Sequence, residues 1–251
     1  TELRCSKSVK NIEKIWDIFE ITVWEDEKYF AKKLVITTWW KSFSQIWTTW
    51  DGYEWAKNFW HKIINPHRGL CWLVTKKDLS EISWVSTDLK VELLDKNDKK
   101  FIYQEFWPLL FTHFWVSWPI IFNLWLALWE YLNKLRVKNY KLEINEENFI
   151  KDNIFIKLTF DLEKTPKRVL KFFDLSEENN EINLELQDYR SWKEAKVTWW
   201  GIMLDELTNN LESKLIPWLY FAWEILDVTW KTWWFNLQFA WTSWSIVGKS
   251  L

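Results

Sequence analysis

The sequence predicts an α/β fold interrupted by an antiparallel β-rich insert, and two observations carry that prediction. A β-branched run, "LVITT", precedes a helix-like segment from Thr48 to Trp60, and near the other end strand-like "AKV" and "LYFA" lead to a last helix from about Asn236. Between these ends, from His67 to Ala195, the pattern changes to short alternating runs, which read as antiparallel strands. The expected division is therefore 1–66 for the first part of an α/β domain, 67–195 for the insert and 196–251 for the C-terminal part of the α/β domain. No internal repeat or low-complexity linker separates them.

Taken in order, the first part opens with the strand-like runs "IFEITV" and "KYFAKKLVITT". The helix that follows is expected to start near Asp51, whose carboxylate can cap it. In the insert the strands are "LKVELLD", "KFIYQEF", "YKLEIN", "IFIKLTF" and "EINLELQDY", with one helix from about Ile120 to Leu135. A chain of 251 residues can bury a sizeable core. Its 33 basic and 35 acidic residues leave a net charge of −2, which gives no argument for a nucleic-acid or anionic-membrane partner, and a small-molecule substrate is expected. Two cysteines, Cys5 and Cys71, form neither a disulfide framework nor a metal spacing, so a reducing, cytoplasmic setting is expected. The longest apolar run, Trp118–Trp129, is shorter than the about 20 residues that span a bilayer. Composition says nothing of oligomeric state.

One ratio is anomalous. There are 25 Trp and 4 Gly, where ordinary usage of about 7% Gly would give roughly 18. The tryptophans also stand where turns and helix ends want glycine. Trp39 and Trp40 follow a strand-like run; Trp50 precedes Asp51-Gly52; Trp60 ends a helix-like segment; Trp107 and Trp118 each precede a proline. "DVTWKTWWFN" places Trp230, Trp233 and Trp234 around a tight turn. In a genetic code that reads UGA as glycine, translation with UGA as tryptophan writes W at each such codon. The other reading takes the letters literally, as a Trp-rich, non-enzymatic binding or membrane-surface module. Trp16, Trp24, Trp55 and Trp192 fit either reading.

With the suspect letters written as g, three stretches stand out: "TTggKS" followed by "gDGY", "LFTHFgVSgP", and "gLYFAgEILDVTgKTggFN". In this form the chain resembles the aminoacetone-oxidase-like NAD(P)/FAD-dependent flavoproteins, from about Arg4 to its end. The resemblance implies an FAD-dependent oxidoreductase that transfers hydride through flavin, with NAD(P)H as a candidate electron donor. It also implies that the α/β part is a partial FAD-binding Rossmann-like domain. The family's opening βαβ unit with its GxGxxG-type turn is absent from these residues, so a fragment is expected. The middle domain is expected to be reduced, with only "EKTPKRVLKFFDLSEENN" standing for its helical segment.

By the same resemblance the cofactor-binding candidates are Thr38, Trp39, Trp40 and Ser42 in the first loop. Trp223, Glu224 and Asp227 follow the "LYFA" strand, and Trp233, Trp234, Phe235 and Asn236 stand at the start of the last helix. Glycine would let main-chain N–H groups approach a dinucleotide, and a helix N-terminus carries donors and partial positive charge toward reduced flavin. Glu224 and Asp227 would accept hydrogen bonds from ribityl or ribose hydroxyls; a solvated acidic pair is the plainer reading. Lys41 reads equally as a contact or a surface charge. His113 is the candidate proton donor or acceptor, because imidazole titrates near neutrality, although a packed, hydrogen-bonded histidine is the commoner case. His61 reads as a helix C-terminal cap. No metal cluster is expected.

Overall fold

The computed structural model describes residues 2–39, 41–42, 48–64, 66–97, 100–138 and 146–251. In chain order its elements are β1 (Val9–Ile15), β2 (Ile18–Val23), β3 (Lys28–Ala31), β4 (Leu34–Ile36), α1 (Asp51–Asn58), β5 (His67–Gly69), β6 (Leu73–Thr75), β7 (Ser86–Asp95), β8 (Lys100–Phe111), β9 (Trp115–Ser117), α2 (Pro119–Lys138), α3 (Glu146–Asn153), β10 (Ile154–Phe160), α4 (Lys167–Phe173), β11 (Glu181–Tyr189), β12 (Val197–Trp199), β13 (Leu219–Phe221) and α5 (Thr232–Ser250). They form two compact units. One comprises Thr1–His67, Val197–Trp230 and Trp234–Leu251; the other comprises Arg68–Lys196 and Lys231–Trp233.

In the first unit β1, β2 and β3 make an antiparallel meander, and β4 pairs in parallel with β13. "KYFAKKLVITT" is thus two strands, broken at the bend of Lys32 and Lys33. Phe19 from β2 and Phe59 beyond α1 meet edge-on at 6.1 Å. Around them Ile12, Ile36, Ala56, Leu219, Phe221, Ile225 and Val247 form one buried cluster. Each large apolar side chain removed from water contributes about 1.5–3 kcal/mol.

The second unit is a closed barrel in the order β10-β11-β6-β9-β8-β7. Closure leaves no strand edge to pair with another chain. Alternation explains the strands: along β7 Leu89, Val91 and Leu93 are buried, and along β10 so are Ile154, Ile156 and Leu158. Helix α2 packs along β8. Its buried residues Ile120, Leu124, Trp125, Leu128, Trp129 and Leu132 recur at helical spacing. Trp125 is fully buried, donates from Nε1 to the Arg68 carbonyl at 2.9 Å, and meets Trp129 edge-on at 5.5 Å. Trp107 and Pro108 do not make the expected turn. Both lie inside β8, opposite Leu89 and Asp88. "YKLEIN" lies outside the described residues.

The backbone sorts the tryptophans. Trp16, Trp50, Trp60, Trp84, Trp118, Trp200, Trp218 and Trp223 all have φ between 56° and 100°, whereas no described glycine has positive φ. The clearest case ends α1. Trp60 N–H bonds to the Lys57 carbonyl at 2.8 Å and His61 N–H to the Ala56 carbonyl at 3.0 Å, with Trp60 at φ 64°. That is the paired hydrogen bonding of a Schellman terminus, in which the left-handed position belongs to glycine. Trp16, equivocal in sequence, joins this left-handed set; Trp24, Trp55 and Trp192 do not. Trp107, Trp115, Trp125, Trp129 and Trp199 lie in regular strands or helix, without positive φ. At the other end of α1 the expected cap is absent: Asp51 is the first helical residue, no side chain caps the helix, and the Asp51 carboxylate accepts from the Thr49 hydroxyl at 2.6 Å. Among the described residues no helix is long and apolar enough to cross a membrane.

Candidate functional site

Parallel pairing of β4 with β13 sets Leu34 beside Leu219, Val35 beside Tyr220 and Ile36 beside Phe221, and Ala222 N–H extends the ladder to the Ile36 carbonyl at 3.2 Å. Parallel neighbours send their following loops out of the same edge. In open α/β sheets that carboxyl edge is where ligands bind. One loop here carries Thr38, Trp39, Lys41 and Ser42; the other carries Trp223, Glu224 and Asp227. The fold thus brings two of the three predicted groups to one edge. Trp40 lies outside the described residues.

The first turn of α1 closes against these loops. A Cβ on Gly52 would stand 2.0 Å from Thr38 Oγ1 and 2.7 Å from Ile225 Cδ1, so a larger residue would have to displace those side chains. Next to it Tyr53 is buried, and burial together with the charges of Glu224 and Asp227 pushes its phenol well above the ordinary range. A Cβ on Gly201 would meet the Ile225 carbonyl oxygen at 2.4 Å. That close approach allows Ile202 N–H to reach the Ile225 carbonyl at 3.0 Å and Asp227 N–H to reach the Ile202 carbonyl at 2.9 Å. Burial raises the Asp227 carboxyl to about 6.

Among the described residues three buried hydroxyl oxygens of this unit, those of Thr38, Tyr53 and Thr229, have no hydrogen-bond partner. Each costs about 1–3 kcal/mol if left so, and each calls for a polar ligand or water. Glycine-only backbone approaches and orphaned hydroxyls beside two carboxylates fit a hydroxyl-rich dinucleotide such as FAD. Thr38, Glu224 and Asp227 are the polar side chains that the two loops bring to this edge.

The other predicted residues have different surroundings. Ser42 is buried, its hydroxyl 3.0 Å from that of Thr198, and Thr198 Oγ1 accepts the N–H groups of Lys41 and Ser42 at 2.9 and 3.1 Å. Those two donors are therefore already satisfied. The last helix begins at Thr232, four residues before the expected start, so Trp233, Trp234, Phe235 and Asn236 lie in its first turns instead of in a preceding loop. Asn236 is buried and clamps the backbone of one residue: its Oδ1 accepts Trp230 N–H and its Nδ2 donates to the Trp230 carbonyl, both at 3.1 Å. Trp223 N–H donates to the buried Ser243 hydroxyl of α5 at 2.8 Å. The rings of Trp39, Trp230 and Trp234 are 43%, 55% and 71% exposed. These residues reach outward.

His113 belongs to the barrel unit, exposed in the turn between β8 and β9, with Nδ1 3.5 Å from the Ser83 hydroxyl. His61 does more than end α1. Its Nδ1 lies 3.0 Å from Glu206 and its Nε2 2.8 Å from Ser213 Oγ. This has the order of a nucleophile triad, but the imidazole is fully buried and Ser213 Oγ also accepts the N–H groups of Leu215 and Ile216. It is a structural lock. No group of three metal-ligating side chains occurs among the described residues. Sequence reasoning missed Gly52, Tyr53 and Thr229; the signal for the first two was the "DGY" triplet directly after Trp50.

The comparisons agree with this architecture. A family model described as the HI0933-like protein Rossmann domain matches residues 1–250. The chain is similar to the ribosomal RNA dihydrouridine synthase of Escherichia coli, 25% identical over 239 aligned positions that cover 85% of this chain and 59% of that protein. It is similar also to the ribosomal RNA dihydrouridine synthase of Haemophilus influenzae, 23% identical over 274 aligned positions covering 97% and 65%. The chain thus spans under two thirds of the length of these relatives. Matched by the family model over all but its last residue, the chain belongs to the HI0933-like protein Rossmann domain family.

Proposed function

We propose that this chain is the C-terminal part of an FAD-dependent reductase whose substrate is a pyrimidine ring in ribosomal RNA. The carrying observation is the carboxyl edge of β4 and β13, where Thr38, Glu224 and Asp227 gather beside orphaned buried hydroxyls. Bound flavin supplies hydride chemistry. The chain's own groups bind and orient. Glu224 and Asp227 accept hydrogen bonds from ribityl or ribose hydroxyls, and Thr38 and Tyr53 gain the partners they lack. The first turn of α5 presents main-chain donors and partial positive charge. The names of the two similar proteins favour RNA as substrate. A free small molecule is the second reading, and the net charge of −2 favours it. NAD(P)H is proposed as electron donor, and an upstream βαβ unit as the piece that completes the cofactor site.

We further propose that the left-handed tryptophans are UGA-encoded glycines. The eight positive-φ tryptophans support this, Trp60 at its Schellman position above all. Codons give the direct check. TGA triplets at positions 50, 60, 200 and 223 are expected, and TGG there returns the chain to the Trp-rich binding-module reading. The functional test uses the glycine-corrected protein with its upstream sequence. It should purify yellow, oxidise NAD(P)H anaerobically and add two hydrogens to uridine in ribosomal RNA, detected by nucleoside mass spectrometry. Flavin present with only small acceptors reduced favours the second reading; a colourless folded protein sinks both.

A further inference from the structure

The barrel carries a charged feature that hydride chemistry does not use. A cavity of about 500 Å³ is lined by Lys77, Arg168, Lys171, Phe172 and Glu81. Three cations face one carboxylate there, in a chain whose overall charge is −2. Neighbouring lysines are neutralised: Lys76 pairs with Glu185 at 2.8 Å, Lys157 with Glu181 at 2.8 Å and Lys164 with Asp161 at 3.0 Å. Among the described residues Lys77, Arg168 and Lys171 make no such pair. The nearby Asp78 is turned away to Ser80, accepting its N–H at 2.9 Å and its hydroxyl at 2.5 Å.

The platform is rigid and shaped. Arg168, Lys171 and Phe172 are spaced i, i+3, i+4 on α4 and so share one face. The helix is anchored by Val169 and Phe173, both buried, with Phe173 against Phe111 at 5.8 Å and Phe160 at 5.7 Å. Lys77 lies over the Phe172 ring at 5.1 Å. Uncompensated cations beside a half-buried aromatic ring are what single-stranded nucleic acid needs: phosphates on the cations, a base against the ring.

We propose that this pocket of the barrel docks the backbone of single-stranded RNA, with phosphates on Lys77, Arg168 and Lys171 and a base stacked on Phe172. The inference rests on the RNA-substrate reading above and adds where the RNA is held. The test uses the full-length flavoprotein and a labelled single-stranded ribosomal RNA fragment, with binding read by fluorescence anisotropy across a salt series. Lys77→Ala, Arg168→Ala and Lys171→Ala combined should weaken binding at least tenfold. They should also flatten the log–log salt slope by about 2, since each phosphate contact to a single strand contributes about 0.7. Phe172→Ala should weaken binding about tenfold with the slope unchanged. All four side chains lie at the cavity surface, so circular dichroism and flavin content should match the parent. A triple variant with parental affinity and slope overturns the docking site while leaving the reductase reading intact. A parent that holds flavin but binds no RNA overturns both. Full competition by millimolar inorganic phosphate would assign the pocket to a free anion and overturn the proposal.

Discussion

The two units solve the problem of backbone direction differently. The barrel reverses its chain between antiparallel strands, the longest of them β7 and β8, and of its described tryptophans only Trp84 and Trp118 take the left-handed conformation. The α/β unit is built from strands as short as three residues, joined by tight loops and helix ends, and holds Trp16, Trp50, Trp60, Trp200, Trp218 and Trp223 in that conformation. Short strands joined by tight loops need sharp turns and bare main chain; a barrel wall needs alternation. Substituting indole for hydrogen therefore harms the first far more than the second.

The largest test of that contrast replaces the six left-handed tryptophans of the α/β unit with glycine. At about 1 kcal/mol each, urea unfolding should show a gain of about 6 kcal/mol, against about 2 for Trp84→Gly with Trp118→Gly. Equal gains per unit would break the comparison. Next in size is Trp125→Gly, which should act with opposite sign. Removing this fully buried ring from α2 should cost about 3–5 kcal/mol in the chain as written. A stabilising Trp125→Gly would extend the glycine reading into regular helix.

Protonation sharpens the comparison within the α/β unit. Asp227 is raised to about 6, above its ordinary 3.8. The folded chain then keeps a proton that the unfolded chain has released, so this group's contribution is full below 3.8 and lost as pH rises through 6. Asp227→Asn should flatten the stability profile in that window. His61 is lowered by burial from 6.5, so its contribution is full above that value and lost as pH falls. The smallest effect is Tyr53→Phe. Removing a buried hydroxyl without a partner should leave the ligand-free chain unchanged or up to about 1 kcal/mol more stable. Flavin affinity, by fluorescence titration, should fall.

Legibility in the sequence followed the same divide. "IFIKLTF" is β10 and "EINLELQDY" is β11 residue for residue, because strict alternation survives any change at the turns. β1 was illegible. Its apolar Val9, Ile12 and Ile15 recur every three residues, a helical spacing, and the irregular register between Val9 and Asn11 shows why: a bulge shifts the count. β6 and β9 are three residues each, too short to carry a period. At the site, the two loops could be read from strand-then-turn patterns. The burial of Tyr53 between them could not, because it depends on pairing between β4 and β13, far apart in sequence.

That pairing also bears on how the chain assembles. Leu34 leaves a ribosome before any barrel strand, and Leu219 only after all of them. β4 must wait for its partner strand, with apolar surface exposed to wrong partners. The barrel eases the wait. Lys196 N–H bonds to the Gly69 carbonyl at 3.2 Å, so a finished barrel brings its own entry and exit together. Once it has closed, an intervening loop of well over a hundred residues behaves as a short tether. The entropy of pairing β4 with β13 then falls accordingly.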